Sequence, residues 1–375
     1  MDANQWPSYN MVNYTGPLSY GAKGDGTTDD TSAVRAALAA ATSNNGGRVL
    51  FDYGKTFLTG GFNVTNNTIL DVQGTILAST NNADFVWTNT DWHPLIRSTN
   101  TQNITITGGG LINGQGSIWW KCSFGNGQPP CLNKGRPVLI SLVNVVNLVI
   151  NNVTLLNSPM FNIGADTLTN AHIYNINITA PGSEDPVNPS HNTDGIDVGN
   201  SVNVLVENSH ISTDVAILAN SGWRQVENIT FRNLTIGHGH GLTIGADYAI
   251  GGIRNVTFTN IVMTGSGGLD TGPNVIVSPE HAGLVQDITY SNIQLYNVGY
   301  CITGIVFNNI VCHTANYGWN INGLSNSPIQ GSISSIAFAN VTNLYPTCQN
   351  YNGTCNSGNV KPSCPPASCF TPSSG

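Results

Sequence analysis

With 375 residues the chain can bury a sizeable core, as one long domain or two ordinary ones. Charged residues make up only 9% of it, which excludes a disordered chain or a coiled coil. The net charge of −8, with 12 basic residues and no basic cluster, speaks against nucleic acid as a partner, and no apolar run approaches the roughly 20 residues of a membrane span.

The first element in chain order is a helix. Tyr20-Gly21-Ala22-Lys23-Gly24-Asp25-Gly26 and Thr28-Asp29-Asp30 lead into Ser32-Ala33-Val34-Arg35-Ala36-Ala37-Leu38-Ala39-Ala40-Ala41, an alanine-rich stretch with Asp and Thr caps ahead of it. Gly46-Gly47 is expected to end it, and Arg48-Val49-Leu50-Phe51 reads as a strand. Beyond this point helical periodicity disappears.

A short unit recurs instead: alternating β-branched residues beside an asparagine, then another short strand and a turn. Examples are Asn103-Ile104-Thr105-Ile106, Asn147-Leu148-Val149-Ile150, Asn203-Val204-Leu205-Val206, Asn228-Ile229-Thr230-Phe231 and Asn255-Val256-Thr257-Phe258. From Asn203 to Asn255 successive copies lie 25 and 27 residues apart, with longer gaps ahead of them, and a period of that size marks a solenoid. Strands of three to five residues without intervening helices specify an all-β parallel β-helix. In such a coil, inward aliphatics stack turn over turn and asparagines at bends hydrogen-bond along the ladder. The expected organisation is one domain over 1–375, with residues 1–60 as an N-terminal cap region and 345–375 as a cysteine-rich tail covering the far end.

Eight cysteines in so charge-poor a chain point to disulfides and an oxidising, extracellular compartment. Cys122/Cys131 and Cys301/Cys312 are close enough in sequence for local loops, while Cys348, Cys355, Cys364 and Cys369 crowd the tail. No pair has CxxC spacing, so metal is not expected. Sequons at Asn13, Asn63, Asn103, Asn152, Asn228, Asn255 and Asn352 are candidate glycosylation sites, although an Asn-Ile-Thr rhythm equally serves turns and strands. Met1-Asp2-Ala3-Asn4 leads straight into polar sequence without a signal peptide, as expected of a mature secreted form.

Carboxylates and imidazoles gather between residues 188 and 247. Three pieces stand about one repeat apart: His191-Asn192-Thr193-Asp194-Gly195-Ile196-Asp197, Thr213-Asp214-Val215-Ala216 and Gly237-His238-Gly239-His240-Gly241. Stacking of repeats would bring them to one face. Read alone, the aspartates also suit turns or ladders, and the histidines suit solvated loops. Asp197 is read as sharing a strand with Asp194 and, by alternation along it, as facing the same side, assisting it or orienting it.

Over nearly its whole length the chain resembles the polygalacturonase family of glycoside hydrolases, the pectinases of family 28. The resemblance rests on Tyr20–Gly26 with Thr28-Asp29-Asp30, on Gly110-Leu111-Ile112-Asn113-Gly114-Gln115-Gly116 followed by Trp119-Trp120, on Arg136-Pro137, and on Asn157-Ser158-Pro159-Met160-Phe161. Asn192-Thr193-Asp194-Gly195 and Gly239-His240-Gly241 match the catalytic-site motifs. It implies a right-handed parallel β-helix, secreted and monomeric, that hydrolyses pectin-type, α-linked galacturonan with inversion and needs no cofactor. Inversion takes a carboxylic acid at the leaving oxygen and a carboxylate that activates water, roughly 6.5 to 9.5 Å apart. Carried over by motif, Asp194 is the base, Asp214 the general acid, and His240 tunes that acid and binds sugar. Asn192, Asp197, His238 and Gly239 are the expected substrate contacts.

The chain departs from the pattern twice. Val215 stands where the family has the second aspartate of a pair; shifting the alignment by one puts Thr213 in place of the first instead. The family's Arg-Ile-Lys motif, whose charges hold the substrate carboxylate, corresponds to Gly272-Pro273-Asn274-Val275-Ile276-Val277-Ser278, with no lysine or arginine between Arg254 and Lys361. Two charge-assisted contacts at about 1.5–3 kcal/mol each are thereby missing, with His281, Arg224 and Arg254 as the nearby substitutes. A non-catalytic polysaccharide-binding β-helix is the competing reading. A lyase on the same kind of fold is weaker, since it needs a basic residue at the abstracted proton, usually with a metal.

Overall fold

The computed structural model describes residues 14–85, 93–122, 135–181, 190–213, 217–221, 224–239, 241–249, 251–265, 273–275, 285–302, 307–312, 315–322, 329–338, 341–343, 347–349, 351–355, 360–361, 363–365 and 368. They fall into two compact units, Met1–Ile196 and Asp197–Gly375.

After two short strands, Tyr14–Thr15 and Asp25–Asp29, the first unit forms the expected helix, Thr31–Ser43. Its buried face, Ala33, Val34, Ala37, Leu38 and Ala41, packs over the first strands and covers that end of the coil. Arg35 ties it down, its Nε and Nη2 donating to Gly61 O (2.9 and 2.7 Å) and Nη2 also to Asp84 O (2.8 Å). Both helix ends differ from the sequence expectation. Asp30 occupies the N-cap position, but its carboxylate accepts from the Lys23 and Gly24 N–H groups (2.7 and 3.0 Å), while Asp29 accepts from Thr31 N (2.9 Å). At the other end Asn45, at φ 60°, takes the left-handed position assigned to glycine; its N–H reaches Thr42 O (3.0 Å) and Gly46 N–H reaches Ala41 O (2.9 Å), a Schellman closure. Asp25 is equally structural: the backbone N–H groups of Thr28 and Thr27 and both their hydroxyls hold its carboxyl well below the usual carboxylate range.

Parallel strands then stack in register, and three apolar columns fill the interior of this unit. Val49, Leu70, Ile106, Ile150 and Ile173 form one. Phe62, Ile96, Ile140 and Ile163 form the second, and Phe57, Ile76, Ile112, Leu155 and Ile178 the third. All are buried.

The second unit repeats the scheme with Val204, Ile229, Val256 and Ile288 in one column and Ile211, Ile236, Met263 and Leu295 in another. A third turns aromatic after Val206: Phe231 stacks on Phe258 and Phe258 on Tyr290, each with ring centroids 4.8 Å apart and planes within 9°. That spacing is the distance between neighbouring strands, so the ladder itself sets the ring separation. Among the described residues of this unit the ion pairs Arg232–Glu207 and Arg254–Glu227, at 2.7 Å each, lie outside the core.

The strands are longer than the motif suggested. Ile96–Thr107, Ile140–Asn151, Ile163–Tyr174 and Ile253–Thr264 each run 12 residues. The asparagines read as boundaries lie inside them at left-handed φ, bending the strand by one residue while pairing continues on both sides. Their side chains form the expected ladders. Asn103 donates to Asn67 (2.7 Å), Asn147 to Asn103 (3.0 Å) and Asn170 to Asn147 (3.3 Å). In the second unit Asn228 donates to Asn203 and Asn255 to Asn228 (3.2 and 2.6 Å), while Asn233, Asn260 and Asn292 continue a second column from Asn208. At three sequons, Asn103, Asn228 and Asn255, the Asn-X-Thr rhythm is therefore a ladder position. Asn63 is exposed, and Asn13 lies outside the described residues.

In the tail, Cys355 and Cys364 form a disulfide. The side-chain pairings expected for Cys122/Cys131 and Cys301/Cys312 lie outside the described residues, as does Cys369.

Asn233 separates backbone from amide. Asn233→Ala should lose both ladder bonds and strain a left-handed residue, whereas Asn233→Gly should lose only the bonds. Denaturant midpoints should place the alanine variant below the glycine variant by about 1 kcal/mol.

Candidate functional site

The stretch 190–195 is a turn ahead of the strand Ile196–Gly199, and side chains hold it together. Thr193 Oγ1 donates to Ser190 O (2.8 Å), and the Ser190 hydroxyl donates to Pro181 O. Asn192 takes a left-handed φ of 58°. The strand ladder takes hold only at the end of the turn, where Asn162 N–H donates to Asp194 O (2.8 Å) and Ile163 N–H to Gly195 O (3.1 Å).

Two buried side chains secure the rest. Arg136, buried at 6% exposure, donates through Nη1 to Pro159 O (3.2 Å) and to His191 O, and through Nη2 to Asn192 Oδ1 (2.9 Å). Asn162, fully buried, donates through Nδ2 to Thr193 O (3.0 Å) and Asp194 O (3.2 Å). The Asn157–Phe161 turn that positions Asn162 is itself fixed by Trp120, whose indole N–H donates to Ser158 O (3.0 Å), and by Ser158 Oγ, which donates to Phe161 O (2.8 Å). The sequence marked Arg136 only as half of the Arg136-Pro137 landmark and Asn162 not at all; nothing in it announced their burial or their partners.

Asp194, near the end of this turn, is 6% exposed. Asp197 alternates with Ile196 and Val198, which are core residues, so it stands on the outer face of its strand and is still only 8% exposed. The expectation that Asp197 follows Asp194 onto one face by alternation does not stand. It is the third residue after Asp194, and Asp194 precedes the strand, so the period of two does not relate them.

In the second unit, two successive passes of the chain flank the other two motifs. Ile211 pairs with Ile236 and Ile217 with Leu242, each 25 residues apart (211 to 236, 217 to 242), so the intervening stretches 212–216 and 237–241 have equal length. The glycines have specific causes. A Cβ on Gly237 would lie 2.1 Å from Ser212 Oγ, and Gly239 and Gly241 adopt φ of 125° and 79°. Thr213 is fully buried, His238 half-buried and Gly239 buried. Asp214, Val215 and His240 lie outside the described residues.

The next coil places Pro273, Asn274 and Val275 against Leu242, Thr243 and Ile244. That register identifies Pro273–Val275 as the strand one turn beyond the Gly-His-Gly stretch, and it carries no cation. Of the substitutes considered, Arg254 is engaged with Glu227, Arg224 is exposed, and His281 lies outside the described residues. Among the described residues no group of three or more His, Cys, Asp or Glu side chains is arranged to hold a metal ion.

Comparison with known proteins gives this arrangement a family. A polygalacturonase of Juniperus ashei is 31% identical over 312 residues, covering 79% of this chain and 57% of that relative, so the chain spans less than two thirds of its relative's length. Among solved structures, an exopolygalacturonase from Thermotoga maritima superposes with a TM-score of 0.77 at 22% identity, over 94% of this chain and 92% of the other. A polygalacturonase from Erwinia carotovora ssp. carotovora gives 0.72 at 23% identity, over 87% and 94%. These structural likenesses establish the right-handed parallel β-helix fold. The family model for glycosyl hydrolases family 28 matches residues 49–360, and the chain belongs to that family.

Proposed function

We propose that this chain is a secreted glycosidase, built as a single β-helix domain and acting as a monomer, that hydrolyses pectin-type polysaccharide with inversion. The observation that carries the reading is Asp194, a buried carboxylate at the end of a side-chain-braced turn, in a chain of this family. Asp194 is the water-activating base, Asp214 the general acid, and His240 the group that tunes the acid and binds sugar. Asn192, Asp197, His238 and Gly239 make substrate contacts.

Chemistry supports these roles. Inversion asks for a carboxylate and a carboxylic acid on opposite sides of the scissile bond. The equal lengths of 212–216 and 237–241 support a juxtaposition of Asp214 with the glycine-histidine turn one coil away. Val215 takes from Asp214 the like-charged neighbour that would raise its pKa, so Asp214 depends on burial or on other carboxylates to stay protonated. The Cys355–Cys364 disulfide supports an oxidising compartment. The reading is tested by reducing-end release from polygalacturonate, rhamnogalacturonan and xylogalacturonan. Asp194→Asn and Asp214→Asn should each lower kcat at least about 100-fold, the scale of general acid–base catalysis, with little change in melting temperature. Product from none of the three polymers, or unchanged rates in both variants, contradicts it.

The cation-free strand Pro273–Val275 favours a second reading, polysaccharide binding without turnover. It expects carbohydrate binding that survives Asp194→Asn, with no product after long incubation. Under the hydrolase reading, Val215→Asp combined with Asn274→Arg and Ile276→Lys should lower KM on polygalacturonate about tenfold or more, since each restored charge-assisted contact is worth about 1.5–3 kcal/mol. An unchanged KM in the folded variant means that these positions do not face the substrate carboxylate.

A further inference from the structure

We infer that Arg136 and Asn162 are positioning residues that clamp the 190–194 turn and so set where the Asp194 carboxylate points, an inference that rests on the reading of Asp194 as the base. Neither residue belongs to an apolar column, and both precede strands, Ile140–Asn151 and Ile163–Tyr174. Both are nonetheless buried, at 6% and 0% exposure. Burying a guanidinium is costly, and a well-packed apolar side chain of similar volume would fill the space more cheaply. What an apolar residue cannot do is bind acceptors on two separate segments at once. The Arg136 fork does so, joining Pro159 O to His191 O and to Asn192 Oδ1.

Position along the chain shows why the clamp is needed. Strand pairing begins only at Asn162 with Asp194 and at Ile163 with Gly195. Residues 190–193 precede that ladder and include left-handed Asn192, so side-chain bonds fix their path. Arg136 holds the turn at His191 and Asn192, and Asn162 holds it at the carbonyls of Thr193 and Asp194. Together they span four consecutive residues ending at Asp194. The Arg136 bond to Asn192 Oδ1 also fixes which end of that amide turns away from the arginine.

A misplacement of about 1 Å in a reacting group costs on the order of 100-fold in rate. Arg136→Lys keeps the charge and loses the fork; Asn162→Ser loses both Nδ2 bonds and keeps the backbone pairing to Asp194. In the full chain, Arg136→Lys is expected to lower kcat about 100-fold and Asn162→Ser about 10-fold or more, each with KM within about threefold and melting temperature within a few degrees of the parent. Crystal structures of the variants should show the Asp194 carboxylate displaced by about 1 Å. Folded variants that keep kcat within threefold, or that raise KM alone, overturn the inference. Should Arg136→Lys fail to fold, Asn162→Ser decides by the same criteria. If the parent chain yields no product from any of the three polymers, the hydrolase reading fails on its own. The clamp is then judged by the crystal structures alone: a displaced Asp194 supports it and an unmoved one overturns it.

Discussion

Parallel strands paired in register impose one rule on this chain: whatever points inward on one coil must fit against the same position on the coils before and after, about 4.8 Å away. Aliphatic columns such as Val49–Leu70–Ile106–Ile150–Ile173 obey it, and so does the stack Phe231–Phe258–Tyr290, whose 4.8 Å ring spacing is the strand spacing itself. The same rule disfavours charge inside, since a column would set charges above one another in a low dielectric. Ion pairs such as Glu207–Arg232 are confined to the outer faces, and the chain carries only 9% charged residues. Left-handed asparagines make the rule workable. Each bends a strand through a single residue, and its amide binds the asparagine one turn away, so the bends stack as faithfully as the strands.

Candidate chemistry lies where the ladder lapses. Asp194 ends a turn that strand pairing reaches only at its last residue, and the motif Gly237–Gly241 occupies a bend between two paired segments. Freed from the column rule, these places can carry polar side chains, but they forfeit the rigidity the ladder provides. Local devices restore it: the Gly237 backbone lies too close to Ser212 for any Cβ, and the buried side chains Arg136 and Asn162 bind the turn ahead of Asp194.

Much of this was legible in the residues. The alanine run, the recurring Asn-Ile-Thr units and the inward aliphatics specified helix, coil and columns, because each depends on neighbours close in sequence or on a repeated position. The errors have physical causes. The strands proved longer because a left-handed asparagine bends pairing without breaking it. Asp30 did not cap the helix because Lys23 and Gly24 offer its carboxylate two N–H groups. The contacts of Arg136, known from the sequence only as part of the Arg136-Pro137 landmark, went unread because its partners, Pro159, His191 and Asn192, are 23 to 56 residues away, and no periodicity signals a contact of that kind. Asp197 was placed by alternation across a turn where alternation does not operate.

The proposed reaction inverts configuration at the anomeric carbon, and this claim has a direct readout. Proton NMR of the first turnovers on an α-linked galacturonan oligomer, recorded before mutarotation, reports the anomer released. Water activated by Asp194 and attacking opposite the leaving oxygen should give the β-anomer first. Release of the α-anomer first, or no release at all, contradicts the account.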